Sequence, residues 1–241
     1  MVFPKHDMKD IKFDFRIDDI GACTKQYERH SKIPLIGNFA FLKNRRFFGN
    51  WGPYKELSIK ELKLLFDSIN NKKKKLAVAV TASWVEKDNK LIPFDKKFPK
   101  QAEFLKNADK NGEITIINHG LSHCVIGMQM PNFFKSNRIY HREFVDWLPE
   151  FMHRKHLIRS QEILENWLER PITILAPPGN NYSYKTVRAC QDTNINFIHS
   201  SNNYIPIDSN ISFLDSKDCI CFHDREVKLY GFKFISELLK E

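Results

Sequence analysis

The chain has 241 residues, of which 42% are hydrophobic and 28% charged, and it carries 20 phenylalanines. That is ample apolar volume for one sizeable core, so a single domain over residues 1–241 is expected and a disordered chain is excluded. The net charge of +9 favours anionic partners, but no nucleic-acid recognition motif accompanies it, and nucleic acid is not expected as a partner. The densest basic run, Lys72-Lys73-Lys74-Lys75, reads as a solvated loop before a buried strand.

In chain order, apolar runs predict strands at 12–18, 76–82, 113–118, 172–176, 195–199 and 218–222. Helical patterns fall between them, at about 57–70, 99–110, 154–169, 183–192 and 231–240. In the third of these, Leu157, Ile158, Ile163, Leu164, Trp167 and Leu168 share one broad face, and Pro171 follows as a stop. Alternating strands and helices imply βα units. Uninterrupted apolar strands such as Leu76-Ala77-Val78-Ala79-Val80 imply a parallel sheet covered on both faces. Two segments, 24–56 and 124–152, are long, irregular and rich in aromatic and basic residues, as loops that cover a site often are.

Five cysteines are present, an odd number with no CxxC pair, and they read as small buried hydrophobes in a reducing compartment. The N-terminus shows no apolar signal-peptide core, and no apolar stretch is long enough to span a membrane. A cytoplasmic location is therefore expected. The oligomeric state is not legible.

Four polar clusters follow predicted strands: Asp18-Asp19, His119 to His123, Pro177-Pro178-Gly179-Asn180, and His223-Asp224-Arg225. In a barrel of parallel strands the C-terminal ends open onto one face, so the four should converge. His119 and His123 are spaced i, i+4, which one helical turn would bring to a common face. Two imidazoles and a carboxylate suit Zn²⁺ or a similar divalent ion, with a position left open for water.

Phe15-Arg16-Ile17-Asp18-Asp19-Ile20-Gly21 resembles the first motif of the polysaccharide deacetylase (NodB-homology, carbohydrate esterase 4-like) superfamily. His119-Gly120-Leu121-Ser122-His123 is similar to the second motif, Ala176-Pro177-Pro178-Gly179 to the third, and Cys221-Phe222-His223-Asp224 to the last. The resemblance implies a distorted (β/α) barrel of about seven parallel strands. It also implies metal-dependent hydrolysis of an N- or O-acyl group on a sugar. Asp19, His119 and His123 would hold the metal, most simply zinc. Asp18 would be the general base and His223 the general acid, with a backbone N–H near Gly179 as an oxyanion donor. The chain departs from the pattern in three places. Ile20 intervenes before Gly21, Gly120 replaces a Ser or Thr, and Ala176 stands where an Arg that orients the base is usual. Arg16 or Arg225 is the candidate replacement.

Other residues read two ways. Asn118 either closes its strand or else orients His119 or touches substrate. Asn180 either makes a tight turn or touches substrate, and Trp51 is either a stacking platform for a sugar or a loop anchor. Asp224-Arg225 is either an ion pair that positions His223 or a surface turn. His141, His153, His156 and His199 read as surface or structural. The expected activity is a cytoplasmic sugar deacylase. Its expected substrate is a phosphate-bearing one, nucleotide- or lipid-linked, in surface-polysaccharide or lipopolysaccharide biosynthesis. The basic residues Lys43, Arg45, Arg46, Arg138 and Arg142 and peripheral contact with the inner membrane face would fit that setting. Hydrolysis of a phosphoester or glycosidic bond at the same site, or a barrel that binds carbohydrate without turnover, are the alternatives.

Overall fold

The computed structural model describes residues 11–28, 55–130, 137–200, 210–215, 217 and 219–240. Nine strands are seen among them: β1 (Phe15–Ile20), β2 (Leu76–Val80), β3 (Ser83–Val85), β4 (Leu91–Pro93), β5 (Thr115–Asn118), β6 (Ile174–Leu175), β7 (Phe197–Ser200), β8 (Ser212–Asp215) and β9 (Ile220–His223). Seven of them form one sheet in the order β8-β7-β6-β5-β2-β1-β9, and every neighbouring pair is parallel. Chain connectivity requires that sheet to curl. Its two edge strands are joined by the few residues between Asp215 and Ile220. Those residues reach at most ~18 Å, whereas seven flat strands would be ~29 Å across. The result is the distorted (β/α) barrel expected from the sequence, open between β8 and β9.

The helices are α1 (Thr24–Tyr27), α2 (Ile59–Asn70), α3 (Phe94–Lys97), α4 (Pro99–Lys110), α5 (Glu150–Leu168), α6 (Tyr184–Cys190), α7 (Asp224–Tyr230) and α8 (Phe232–Leu238). Ser58 and Glu61 form a capping box that starts α2, and the run Lys72 to Lys75 after it is exposed, as the sequence implies. Pro149 precedes α5, so this helix begins four residues earlier than the apolar period indicates.

Strand alternation sorts the core. On β2, Leu76, Val78 and Val80 face the helices with Phe15 and Ile17 of β1, Leu62, Leu65 and Leu105. Ala77 and Ala79 face inward with Ile117, Ile174 and Ala176. The barrel interior is therefore lined in part by small side chains. The space they leave is taken by Arg16, which is 0% exposed and lies in register with Ala77 on one side and Cys221 on the other.

Several expectations need correction. The final predicted helix, at 231–240, is α8, and a further helix that the sequence reading did not include, α7, precedes it, the two parted at Gly231, where φ is +64°. Ile158 is exposed, and the buried face of α5 instead carries His153, His156, Ser160 and Gln161 beside Leu157 and Leu164. Polar groups take those places because each finds a partner: Asn118 donates to Ser160 Oγ and Gln161 Oε1 at 2.9 and 2.7 Å. Cys221 is exposed, unlike the other four cysteines, because its alternate position on an edge strand turns it away from Phe222. His141, His153, His156 and His199, read as surface or structural, are all buried, which leaves the structural reading and removes only the surface one.

His153 packs between Thr186 Oγ1 and the Val145 carbonyl, at 3.0 and 3.2 Å. Burial is the main cause that lowers its pKa below the usual 6.5. The unfolded chain then binds the extra proton first, so stability falls as pH drops below 6.5. We expect His153→Gln to flatten that limb. Urea midpoints between pH 7 and pH 5 check it, and parallel curves for the variant and the wild type would refute it.

Candidate metal centre

The acids are separated by a defect in β1. Its register runs from Ile17 opposite Val78 to Ile20 opposite Val80, three steps against two, so Asp18 and Asp19 sit in a bulge. Asp19 takes φ +70°, a conformation few residues other than Gly adopt. Asp18 keeps its pairing opposite His223 on β9. The bulge, not the end of the strand, lets adjacent carboxylates serve different partners. Gly21, at φ +78°, then passes so close to Phe94 that a Cβ would lie 2.6 Å from its ring.

His119 and His123 follow β5, but not on a helical turn. The segment is an irregular bend, with φ +82° at Gly120 and +57° at His123. The spacing still brings the rings together, with centroids 4.9 Å apart. Asn118 closes the strand end: its Oδ1 accepts from the Gly120 N–H at 2.8 Å.

Asp19, His119 and His123 are all buried, and one ligand atom from each lies within 4.8 Å of the other two. His119 Nδ1 lies 2.7 Å from the Ala176 carbonyl, which can only accept, so Nδ1 carries the proton. In the neutral ring, Nε2 then presents a bare lone pair 3.4 Å from Asp19 Oδ1. His123 Nε2 is 2.9 Å from the same oxygen, yet neither of its ring nitrogens has hydrogen-bond geometry to a partner among the described residues. Lone pairs turned on a common point, with the tautomer fixed from behind by a carbonyl, are what a divalent cation requires. The residues therefore fit a metal. Burial opposes ionisation of Asp19, but His123 and His223 outweigh it and hold the carboxyl well below its usual range. Burial likewise opposes a charged His123, and Asp19 outweighs it, raising the imidazole pKa.

Asp18 lies outside this cluster. Arg16 grips it with both arms, Nε to Oδ1 at 2.8 Å and Nη2 to Oδ2 at 2.7 Å. Burial would raise the Asp18 pKa, but the guanidinium holds it below the usual carboxylate value. Arg16 also donates to the His199 carbonyl at 2.8 Å and to Asn180 Oδ1 at 3.0 Å. So of the two candidate arginines, Arg16 is the one that holds Asp18, and Asn180 in turn accepts from Arg16. Arg225 faces the other acid: its Nη1 is 3.4 Å from Asp19 Oδ2 and 4.0 Å from Glu28.

Asp224 does not pair with Arg225. It is buried against Lys25, which also binds Glu56. That ion triad pins the start of α7, and with it His223, to α1. Burial opposes a charged His223 too, but Asp19 and a hydrogen bond to Glu226 raise its pKa.

A cleft of about 250 Å³ opens over the cluster, walled by Asp19, His123, Arg138, Arg142, Asn180 and His223, among others. All four sequence clusters thus meet at one mouth. Trp51, Lys43, Arg45 and Arg46 lie outside the described residues. Sequence reasoning missed Lys25 and Glu143, and took His156 and His199 only as surface or structural residues. A lone Lys in a four-residue helix or a lone Glu in a loop carries no local pattern that announces burial.

No protein-family model and no curated protein matches the chain. Solved structures do. A CE4 family pseudoenzyme from Bacillus anthracis is 11% identical with a TM-score of 0.44, over 75% of this chain and 56% of that one. This chain therefore spans little more than half the pseudoenzyme's length. A family 4 acetyl xylan esterase from Clostridium thermocellum, in complex with a cobalt ion, is 11% identical with a TM-score of 0.43, over 77% and 80% of the two chains. The BpsB deacetylase domain from Bordetella bronchiseptica is 13% identical with a TM-score of 0.43, over 68% and 69%.

Proposed function

We propose that the chain is a divalent-metal-dependent hydrolase that removes an N- or O-acyl group from a sugar, with zinc as the ion. The observation that carries this reading is the buried Asp19, His119 and His123 cluster at the mouth of a cleft, with an ionised Asp18 held off it. An ion held there supplies Lewis-acid polarisation of an acyl carbonyl and of an attacking water. Asp18, kept charged by Arg16, takes the proton from that water. His223, whose raised pKa favours the protonated ring, gives a proton to the departing amine or alcohol. Asp18 and His223 are opposite one another on neighbouring strands, so base and acid reach the same mouth.

The substrate in this proposal carries phosphate, as a nucleotide-linked or lipid-linked saccharide of surface-polysaccharide or lipopolysaccharide biosynthesis does. Arg138 and Arg142 stand in the cleft wall, and Arg142 forms no ion pair among the described residues. In the same proposal the enzyme works on the cytoplasmic side, with peripheral membrane contact where the sugar is lipid-linked. Because Arg16 steadies Asp18, the absent arginine at Ala176 no longer argues for a barrel without turnover.

Protein stripped by a chelator and reloaded with one equivalent of Zn²⁺ should regain acetate release from an N-acetylated nucleotide sugar. Release of phosphate or free sugar instead of acetate would move the reaction to another bond. Failure to retain any stoichiometric ion would overturn the metal reading altogether.

A further inference from the structure

A second buried carboxylate lies directly behind the histidine-bearing turn, and the proposed reaction does not use it. Glu143 has no side-chain exposure. Its Oε1 accepts from the Leu121 N–H at 3.0 Å and lies 2.7 Å from His156 Nδ1. Its Oε2 accepts from the Ser122 and His123 N–H groups at 3.1 and 3.0 Å. Three successive backbone donors and one imidazole thus converge on one anion. His156 Nδ1 must be the donor, because an ionised carboxylate only accepts. Burial pushes the Glu143 pKa up, but His156 and the backbone N–H groups outweigh it and hold the carboxyl ionised.

This arrangement accounts for two features of the turn. In a helix, the N–H groups of 121, 122 and 123 would point at carbonyls one turn back. Here they point at an anion, so the segment forms a nest around it. The nest needs left-handed residues, supplied by Gly120 and His123. Gly120 is also where a side chain would collide with the anion, since a Cβ there would lie 2.3 Å from Glu143 Oε2. A serine or threonine at 120 would therefore force the Glu143 carboxylate out of its present place against the turn.

We propose that Glu143, clamped by His156, is the positioning residue that presets the turn for metal. It fixes the backbone of His123 and so aims that imidazole at the point shared with Asp19 and His119. His156 comes from α5, so the longest helix of the fold bears on the ligand geometry through one hydrogen bond. This inference rests on the metal reading above, and the test separates the two.

Co²⁺ is the probe, because its visible absorption reports ligand geometry independently of turnover. Metal-free wild type should bind one equivalent. Glu143→Gln turns an acceptor into an N–H₂ that faces backbone donors. We expect it to bind Co²⁺ about 10- to 100-fold more weakly, with a changed spectrum, at an unchanged far-UV circular dichroism. His156→Asn keeps a donor near the Nδ1 position and should bind as wild type does, whereas His156→Leu should follow Glu143→Gln. If Glu143→Gln does not fold, the His156 pair decides the matter alone. Wild-type affinity and spectrum in both Glu143→Gln and His156→Leu would overturn the positioning role and leave the metal site standing. No Co²⁺ binding by wild type would overturn both.

Discussion

Asp18→Asn protein is expected to keep its ion and lose turnover, whereas Asp19→Asn protein is expected to lose the ion itself. The two residues are adjacent, buried to a similar degree and of the same type, so a merely local disturbance would affect them alike. The bulge in β1 separates them. Asp19 Oδ1 faces both histidine Nε2 atoms, and an amide there offers a neutral and weaker ligand. Asp18 makes no contact with those nitrogens; its oxygens are held by Arg16. Asparagine is nearly isosteric with it but takes no proton from water. A general base contributes about 10²- to 10⁴-fold, so kcat should fall by that factor with KM little changed. Elemental analysis of each purified variant, followed by acetate release at saturating substrate, checks both halves. Normal turnover in Asp18→Asn would remove the base assignment. Retained ion in Asp19→Asn would remove that residue from the ligand set.

The parts of this site that repeat a pattern were legible in the sequence. Strand ends punctuated by Asp18-Asp19, His119, Pro177 and His223 stand at the C-terminal mouth because parallel topology puts them there. Strand β8 was not legible, since four residues from Ser212 to Asp215, only two of them apolar, carry too little alternation to be seen. The β3–β4 hairpin was hidden for the same reason. The HxxxH spacing suggested a helical turn because periodicity measures sequence separation alone. What bends the segment is Glu143, from a distant loop. Burial of His156 and His199 was equally invisible, because each is stabilised by a charged partner brought in by the tertiary fold. Long-range polar pairs decided these positions, and no local signal records them.

Arg16→Met should be among the most damaging single changes in the molecule, although the side chain touches no proposed ligand of the metal. A buried pair that loses one member leaves the other charge uncompensated, which costs about 3–5 kcal/mol. Each kcal/mol is worth ~2–4 °C in a chain of this size, so melting should drop by roughly 10 °C. Replacing both partners, as Arg16→Met with Asp18→Leu, removes the stranded charge. It should restore most of that stability and no activity. A pH titration distinguishes loss of the pair from simple loss of packing. In wild type, Asp18 has a folded pKa below its ordinary 3.8, so the pair's contribution is complete above that pH and is lost only as pH falls further. Without Arg16, burial dominates and raises the Asp18 pKa, so the carboxyl binds a proton earlier and the acid limb of the rate profile moves toward neutrality. Arg16→Lys keeps the charge but not the two-armed grip, so it should retain the wild-type acid limb while turning over more slowly. Thermal melts of the two single variants and the double variant, with kcat between pH 5 and 9, test the whole scheme. A double variant no more stable than Arg16→Met would show that Arg16 serves the barrel interior by packing and not by holding the base.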